Sequence, residues 1–210
     1  DEIDKIDEYW KTERFFFIKF FIKKILQKIY NFFGIKYYPN KWRKLENVLK
    51  KYDKISGSYI NRYEDKKQSY VGYWLDGKIS KIHGLPIYQV AHFLSFFIKK
   101  NKLKSFIDIG AGELTTIHAL FKELGKYKIF NSAAIDLSFK RLEVGKKFLN
   151  KKKNNLDLIS RSNAQYLPFK KNSFNLVFTN YCLEQVPHFF DEIINELLRI
   201  SNKYVILIEP

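Results

Sequence analysis

Gly110-Ala111-Gly112 is the stretch whose residue types and spacing bear most directly on chemistry. Residues with little or no side chain let a backbone turn tightly and lie flush against a ligand. These follow Phe106-Ile107-Asp108-Ile109, an apolar, β-branched and aromatic run that predicts a short buried strand. From Leu114 the spacing turns helical, with Leu114, Ile117, Leu120 and Phe121 on one face. A strand, a glycine turn and a helix start form a nucleoside- or dinucleotide-binding element with exposed amides facing the ligand. The same Gly-x-Gly also serves tight turns for steric reasons alone. Asp136 closes a second apolar run, Ile129 to Asp136, roughly twenty-odd residues past the glycines, where α/β nucleotide folds place a carboxylate for ribose hydroxyls. Candidates for proton transfer near these elements are His83, Tyr181, Glu184 and His188. The 4 histidines and single cysteine show no metal-ligand spacing, so no metal is expected.

Further along, Leu156 to Ile159 predicts a third strand and Asn163-Ala164-Gln165-Tyr166-Leu167-Pro168-Phe169 follows it. Ser173 to Asn180 predicts a fourth strand, succeeded by Tyr181-Cys182-Leu183-Glu184-Gln185-Val186. The series D-I-G-A-G, A-I-D, N-A-Q-Y-L-P-F and S-F-N-L-V-F-T-N-Y-C-L-E-Q-V resembles the class I S-adenosylmethionine-dependent methyltransferases. It is most similar to the broad subgroup in which D-A-x-x-L-P-F precedes L-E-H-V. The resemblance runs from Ser105 to Pro210, about half the chain. It implies that Gly110, Ala111 and Gly112 form the turn under the methionine and ribose of the cofactor. By the same resemblance Asp108 binds the methionine ammonium, directly or through water, Asp136 holds the ribose hydroxyls and Leu137 flanks the adenine. Asn163 and Ala164 would read the adenine edge, and Asn180 and Tyr181 sit where cofactor meets acceptor. This sequence departs from the family pattern at several positions. Leu114 stands where a third glycine is usual, which implies a rearranged helix entrance. Asn163 and Asn175 replace aspartates; the Asn163 side-chain oxygen can still accept a hydrogen bond. Gln185 replaces a histidine, so no acid–base role passes to it.

These residues need elements to position them. The fold implied is α/β: a doubly wound, mostly parallel Rossmann-like sheet in the order 3-2-1-4-5, with helices on both faces and an N-terminal helical cap. The family's later strands are expected to be missing, because the chain stops after a fifth strand at Tyr204 to Pro210. Residues 1–82 read as a helical and aromatic cap, and 83–210 as the cofactor-binding core. Within the cap, Phe15 to Phe33 has Phe15, Ile18, Ile22, Ile25, Leu26, Ile29 and Phe33 on one helical face and lysines elsewhere. Such a basic amphipathic helix packs on its own domain or lies on a membrane surface. A second helix is expected from Lys41 to Asp53, with Trp42, Leu45, Leu49 and Tyr52 inward. Val71 to Ile79 reads as a hairpin on an Asp-Gly turn or as an aromatic loop, and Tyr73 and Trp74 are candidates to touch substrate. Pro86 opens a further helix with Val90, Ala91, Leu94, Phe97 and Ile98 inward. His188 to Ile200 reads as an amphipathic helix.

Composition narrows the classes of function. The 210 residues are 46% hydrophobic, enough for a sizeable core. One cysteine permits no intrachain disulfide and no signal peptide is visible, so a reducing cytoplasm is the expectation, with contact to a membrane surface an addition to it. The formal charge of +16 invites an anionic partner such as nucleic acid. Lysine is heavily preferred to arginine, the better fork for bases and phosphates, so nucleic acid is not favoured. The leading expectation is methyl transfer to a small-molecule, lipid or sugar acceptor. An RNA or protein methyltransferase using the basic surface is the alternative, as is a non-catalytic cofactor-binding module. A nicotinamide oxidoreductase is disfavoured, because N-A-Q-Y-L-P-F has no place in that family.

Overall fold

The computed structural model of the protein describes residues 45–64, 70–75, 78–83 and 86–209, the stretches 70–75 and 78–83 by backbone alone. The chain divides into two compact units, Asp1–Trp42 and Arg43–Pro210. The first lies outside the described residues, and with it the amphipathic run Phe15 to Phe33. The expected cap, 1–82, straddles this division.

Helix α1 spans Leu45–Lys54 and α2 spans Ser58–Glu64. The α1 stripe is Leu45, Val48 and Tyr52, with Val48 the buried member. Strands β1, Tyr70–Leu75, and β2, Lys78–His83, pair antiparallel with Leu75 opposite Lys78, which selects the hairpin over the loop. Helix α3, Pro86–Lys100, opens on a proline whose missing N–H costs nothing in a first turn. Its Ala91, Leu94 and Ile98 recur at helical spacing and are fully buried. Among the described residues, no helix is long and apolar enough to cross a membrane.

The main sheet begins with β3, Ser105–Ile109, followed by α4, Thr115–Leu124, and β4, Asn131–Asp136. Next come α5, Phe139–Lys151, β5, Leu158–Arg161, and β6, Phe174–Asn180. Two short 3-10 turns, α6, Phe190–Ile200, and β7, Ser201–Ile208, complete it. The order is β5-β4-β3-β6-β7 with every pairing parallel, so β3 is central, as expected. Ile107 sits in register with Ala133 on one side and Val177 on the other. A central parallel strand covered on both faces must be apolar on both. Phe106 joins the cluster formed with α3, α4 and α5, while Ile107 and Ile109 join the one beneath α6. Complete burial of each such side chain contributes about 1.5–3 kcal/mol.

The cap helices span the two layers. Ile60 and Tyr63 of α2 pack into the first cluster, and Val48 of α1 packs into the second. The third strand starts at Leu158, not Leu156, because the preceding Asp157 carboxylate accepts hydrogen bonds from Ser132 N and Oγ, both at 2.7 Å.

Leu114 shows how the absent third glycine is accommodated. Its φ is 59°, so the backbone keeps the left-handed turn that a glycine would take without strain. The side chain is fully buried. Room for it comes from Gly145 of α5, where a Cβ would meet the Glu113 carbonyl group and Leu114 Cγ. The expected rearrangement of the helix entrance is therefore a packing exchange between two elements, with the backbone path kept.

Candidate functional site

At the end of β3 the chain turns on Gly110, with φ of 78°. A Cβ there would strike the Cys182 thiol, so only glycine allows the loop after β6 to pass so closely. Gly110 N and Ala111 N both donate to Ile135 O at 2.9 Å, and Gly112 N donates to Asp136 Oδ2 at 2.8 Å. This corrects the expectation of amides facing a ligand. The turn's donors are spent on β4, and what it offers a ligand is a close surface with only the Ala111 methyl on it.

The floor is instead rich in acceptors. Asp136 is 9% exposed, and Ser138 N donates to its Oδ1 at 2.8 Å. Each carboxylate oxygen has a second lone pair, so the group can still accept from a hydroxyl. Asp108 is buried, and its Oδ1 has no hydrogen-bond partner. Burial first, and then the neighbouring Asp136, hold its carboxyl well above the usual aspartate range. Asn180 donates from Nδ2 to Thr116 Oγ1 at 3.2 Å, which leaves its buried Oδ1 unpartnered. Unpaired buried acceptors are uncommon and costly, and two in one cavity point to a donor-bearing ligand.

These groups line a cavity of about 410 Å³, within the range of small-ligand sites. Asp108, Gly110, Ala111, Asp136, Leu137, Asn163, Ala164, Asn180, Tyr181 and Glu184 all reach it. Gly112 is not among the lining residues, because the Arg141 guanidinium covers its open face. Asn163 accepts from Gln165 N at 3.0 Å, a local turn that fixes its carboxamide at the rim. Asn175 lies elsewhere, its Oδ1 accepting from Lys104 N and Ser105 N, where it staples the starts of β3 and β6.

The candidates for proton transfer separate. Tyr181 and Glu184 line the cavity; Tyr181 holds φ of 54°, and Gln185 Nε2 donates to Glu184 Oε1 at 2.6 Å. His188 is outside the lining and packs its ring on Phe189. The side chains of His83, Tyr73 and Trp74 lie outside the described residues. Cys182 lines the cavity as a neutral thiol, since burial and then Asp136 push its pKa well up. Among the described residues no three His, Cys, Asp or Glu side chains are grouped to hold a metal ion.

Several residues that complete the site carry no sequence signal of their own. Glu113, next to the turn, is buried and accepts from Gly57 N at 3.0 Å and Ile60 N at 2.9 Å. It thereby caps α2 and ties the roof to the floor. Tyr52, Tyr59 and Tyr63 of α1 and α2 form the roof, and burial pushes the Tyr52 phenol up to about 12, so it stays neutral. Glu209 accepts from Thr179 Oγ1 at 2.7 Å and from Cys182 N and Leu183 N at 3.2 and 3.1 Å, clamping the loop after β6.

The fold recurs in solved structures. The chain is similar to the [4+2]-cyclase SpnF at 17% identity and a TM-score of 0.52, covering 74% of this chain and 56% of that one. It is also similar to YcgJ from Bacillus subtilis at 23% identity and a TM-score of 0.46, covering 56% of this chain and 50% of that one. A third is a putative S-adenosyl-L-methionine-dependent methyltransferase from Methanococcus maripaludis, at 19% and 0.46, covering 81% and 67%. The chain thus spans about half the length of YcgJ. No curated protein sequence matches it. Residues 107–208 match the family model described as a methyltransferase domain, and the five-stranded core carries the Rossmann-like methyltransferase fold.

Proposed function

We propose that this chain binds S-adenosylmethionine and transfers its methyl group to a small-molecule, lipid or sugar acceptor. The observation that carries this reading is the chemistry of the cavity floor. Its glycine-turn amides are consumed by Ile135 O and Asp136, and two carboxyl groups, Asp108 and Asp136, stand beside them. A pyrophosphate on such a turn is held by free backbone amides, which are spent here, and it is repelled by the Asp136 carboxylate beside them. A nucleoside with ammonium and sulfonium charges meets the acceptors it requires.

Bound here, the donor would supply a methyl group on sulfur that leaves as a neutral thioether. The chain's own contribution is alignment and exclusion of water, which can lower a barrier by about 7–11 kcal/mol. Asp108 Oδ1 and Asn180 Oδ1 accept from the ammonium, and Asp136 accepts from the ribose hydroxyls. Leu137 flanks the adenine, with Asn163 and Ala164 at its edge. Tyr181 and Glu184 border the acceptor's approach, and Glu184 is the carboxylate available to take a proton from a hydroxyl or amine.

Calorimetry with S-adenosylhomocysteine tests the donor assignment. Asp136→Ala removes a charged acceptor and should weaken binding roughly tenfold to a hundredfold. Unchanged affinity would remove Asp136 from the ribose role, and no binding to the unaltered chain would reject the donor. The cyclase SpnF shares the fold, and fold does not dictate chemistry. Consumption of the methyl donor against a panel of hydroxyl and amine acceptors decides whether transfer occurs.

A further inference from the structure

Arg141 is the charged group of the cavity that the preceding roles leave unused. It projects from the first turn of α5, and its side chain is only 11% exposed. Its guanidinium lies over the rings of Tyr52 and Tyr59, 4.8 Å from each centroid. Stacking of this kind holds the charge while leaving the in-plane N–H groups available. The nearest carboxylate is Glu113, but Oε1 is 3.8 Å from Nε, beyond hydrogen-bond reach. Both Glu113 oxygens already accept from backbone amides at the start of α2, from Gly57 just before it and from Ile60 within it. Arg141 Nε accordingly has no hydrogen-bond partner although it is buried. The guanidinium rests against the face of Gly112 and lines the cavity. The unpartnered acceptors Asp108 Oδ1 and Asn180 Oδ1 belong to the same cavity. Acceptors for an ammonium and a fork-shaped donor for a carboxylate, set around one turn with no side chain larger than the Ala111 methyl, complement an α-amino acid.

We propose that Arg141, presented by Tyr52 and Tyr59, anchors the α-carboxylate at the amino-acid end of the methyl donor. The inference rests on the donor reading above and deepens it. A planar guanidinium grips a carboxylate through two parallel N–H bonds, and for a guanidinium as buried as this one that pairing is strong. The roof then becomes part of the donor site, because the two tyrosines that hold Arg141 come from α1 and α2.

The test compares S-adenosylhomocysteine with its decarboxylated analogue, which keeps the nucleoside and the amine, by calorimetry on the full chain. The unaltered chain should prefer the carboxylate-bearing ligand by roughly tenfold to a hundredfold. Arg141→Leu should abolish that preference by weakening only S-adenosylhomocysteine. Arg141→Lys should keep part of it, because an ammonium gives a point charge without the fork; if the leucine variant melts early, the lysine variant carries the same comparison. A preference left intact in these variants overturns the proposal. So does an equal weakening of both ligands, which would make Arg141 a packing element of the roof. If neither ligand binds the unaltered chain, the donor reading itself has failed, a result distinct from either.

Discussion

The floor and the roof of the cavity are built by opposite means. The floor comes from the ends of β3, β4 and β6, and its groups are fixed by bonds within the sheet layer. Gly110 N, Ala111 N and Gly112 N are tied to β4, and the loop after β6 is tied to Glu209. The roof is two short helices that hold no sheet register. It depends on side chains reaching up from the floor: Glu113 to the α2 amides, Ser138 Oγ to Asp53, Arg141 to Tyr52 and Tyr59, and Lys152 to Glu64 at 2.7 Å. A floor tied to the strands by backbone bonds and buried carboxylates moves only if the sheet layer itself gives. A roof held by few polar contacts can loosen without unfolding the sheet. The acceptors that recognise a cation lie in the rigid half, and the guanidinium for an anion lies at the joint between the halves.

The largest expected effect is on the floor. Asp108→Asn should weaken S-adenosylhomocysteine roughly tenfold to a hundredfold, since a charged acceptor for the ammonium is lost. It should also raise the melting temperature of the ligand-free protein at neutral pH. The carboxyl is held above its usual range in the folded state by burial and by Asp136, so the folded state keeps this proton where the unfolded chain has released it. Stability from this group is therefore complete below the ordinary aspartate value and is lost as pH rises through the raised one. Melting curves across pH should show this decline in the unaltered chain and a flatter profile in Asp108→Asn; the same decline in both would assign it to another group. An ammonium bound beside Asp108 should also expel its proton, seen as buffer-dependent heats in calorimetry.

The roof should respond next. Glu113→Ala removes a charged acceptor shared by two amides, a loss of about 1.5–3 kcal/mol per bond. Hydrogen exchange should quicken across residues 45–64 while β3 and β6 stay protected. Uniform protection there would mean that apolar packing of Ile60, Tyr63 and Val48 holds the roof unaided.

The smallest effect probes the seam between turn and helix. Gly145→Ala places a Cβ against the Glu113 carbonyl group, and overpacking of this sort costs about 1–3 kcal/mol. Thermal melting should register it as a modest drop. A neutral result would show that α5 can shift away from Leu114 freely.

Much of the floor was legible because its signals are local. A strand reads as an apolar run, a turn as Gly110-Ala111-Gly112 and a helix as spacing from Leu114, and each signal sits within a few residues of itself. Hence β3, α4, β4 and β6 fell close to their expected positions, and the order of strands followed from the motif series. Boundaries slipped where a distant partner intervened, as Ser132 did by engaging Asp157 and delaying β5. The direction of the turn's amides was misread, because the acceptor Ile135 O belongs to another strand and is invisible from the turn. Leu114 is a similar case: its compensating Gly145 has an unremarkable place in an amphipathic helix.

What this sequence determined alone is which segments become strand, turn and helix, since hydrophobic periodicity and glycine chemistry act over short stretches of chain, while the sheet order was implied by the resemblance of its motif series to a family. Tertiary structure decided how those residues are used. Glu113 meets amides 56 and 53 residues earlier, and Arg141 meets rings from two helices that have no motif. Charge–amide and charge–ring contacts carry no period along the chain. Their strength depends on the burial and distance that only the assembled fold provides.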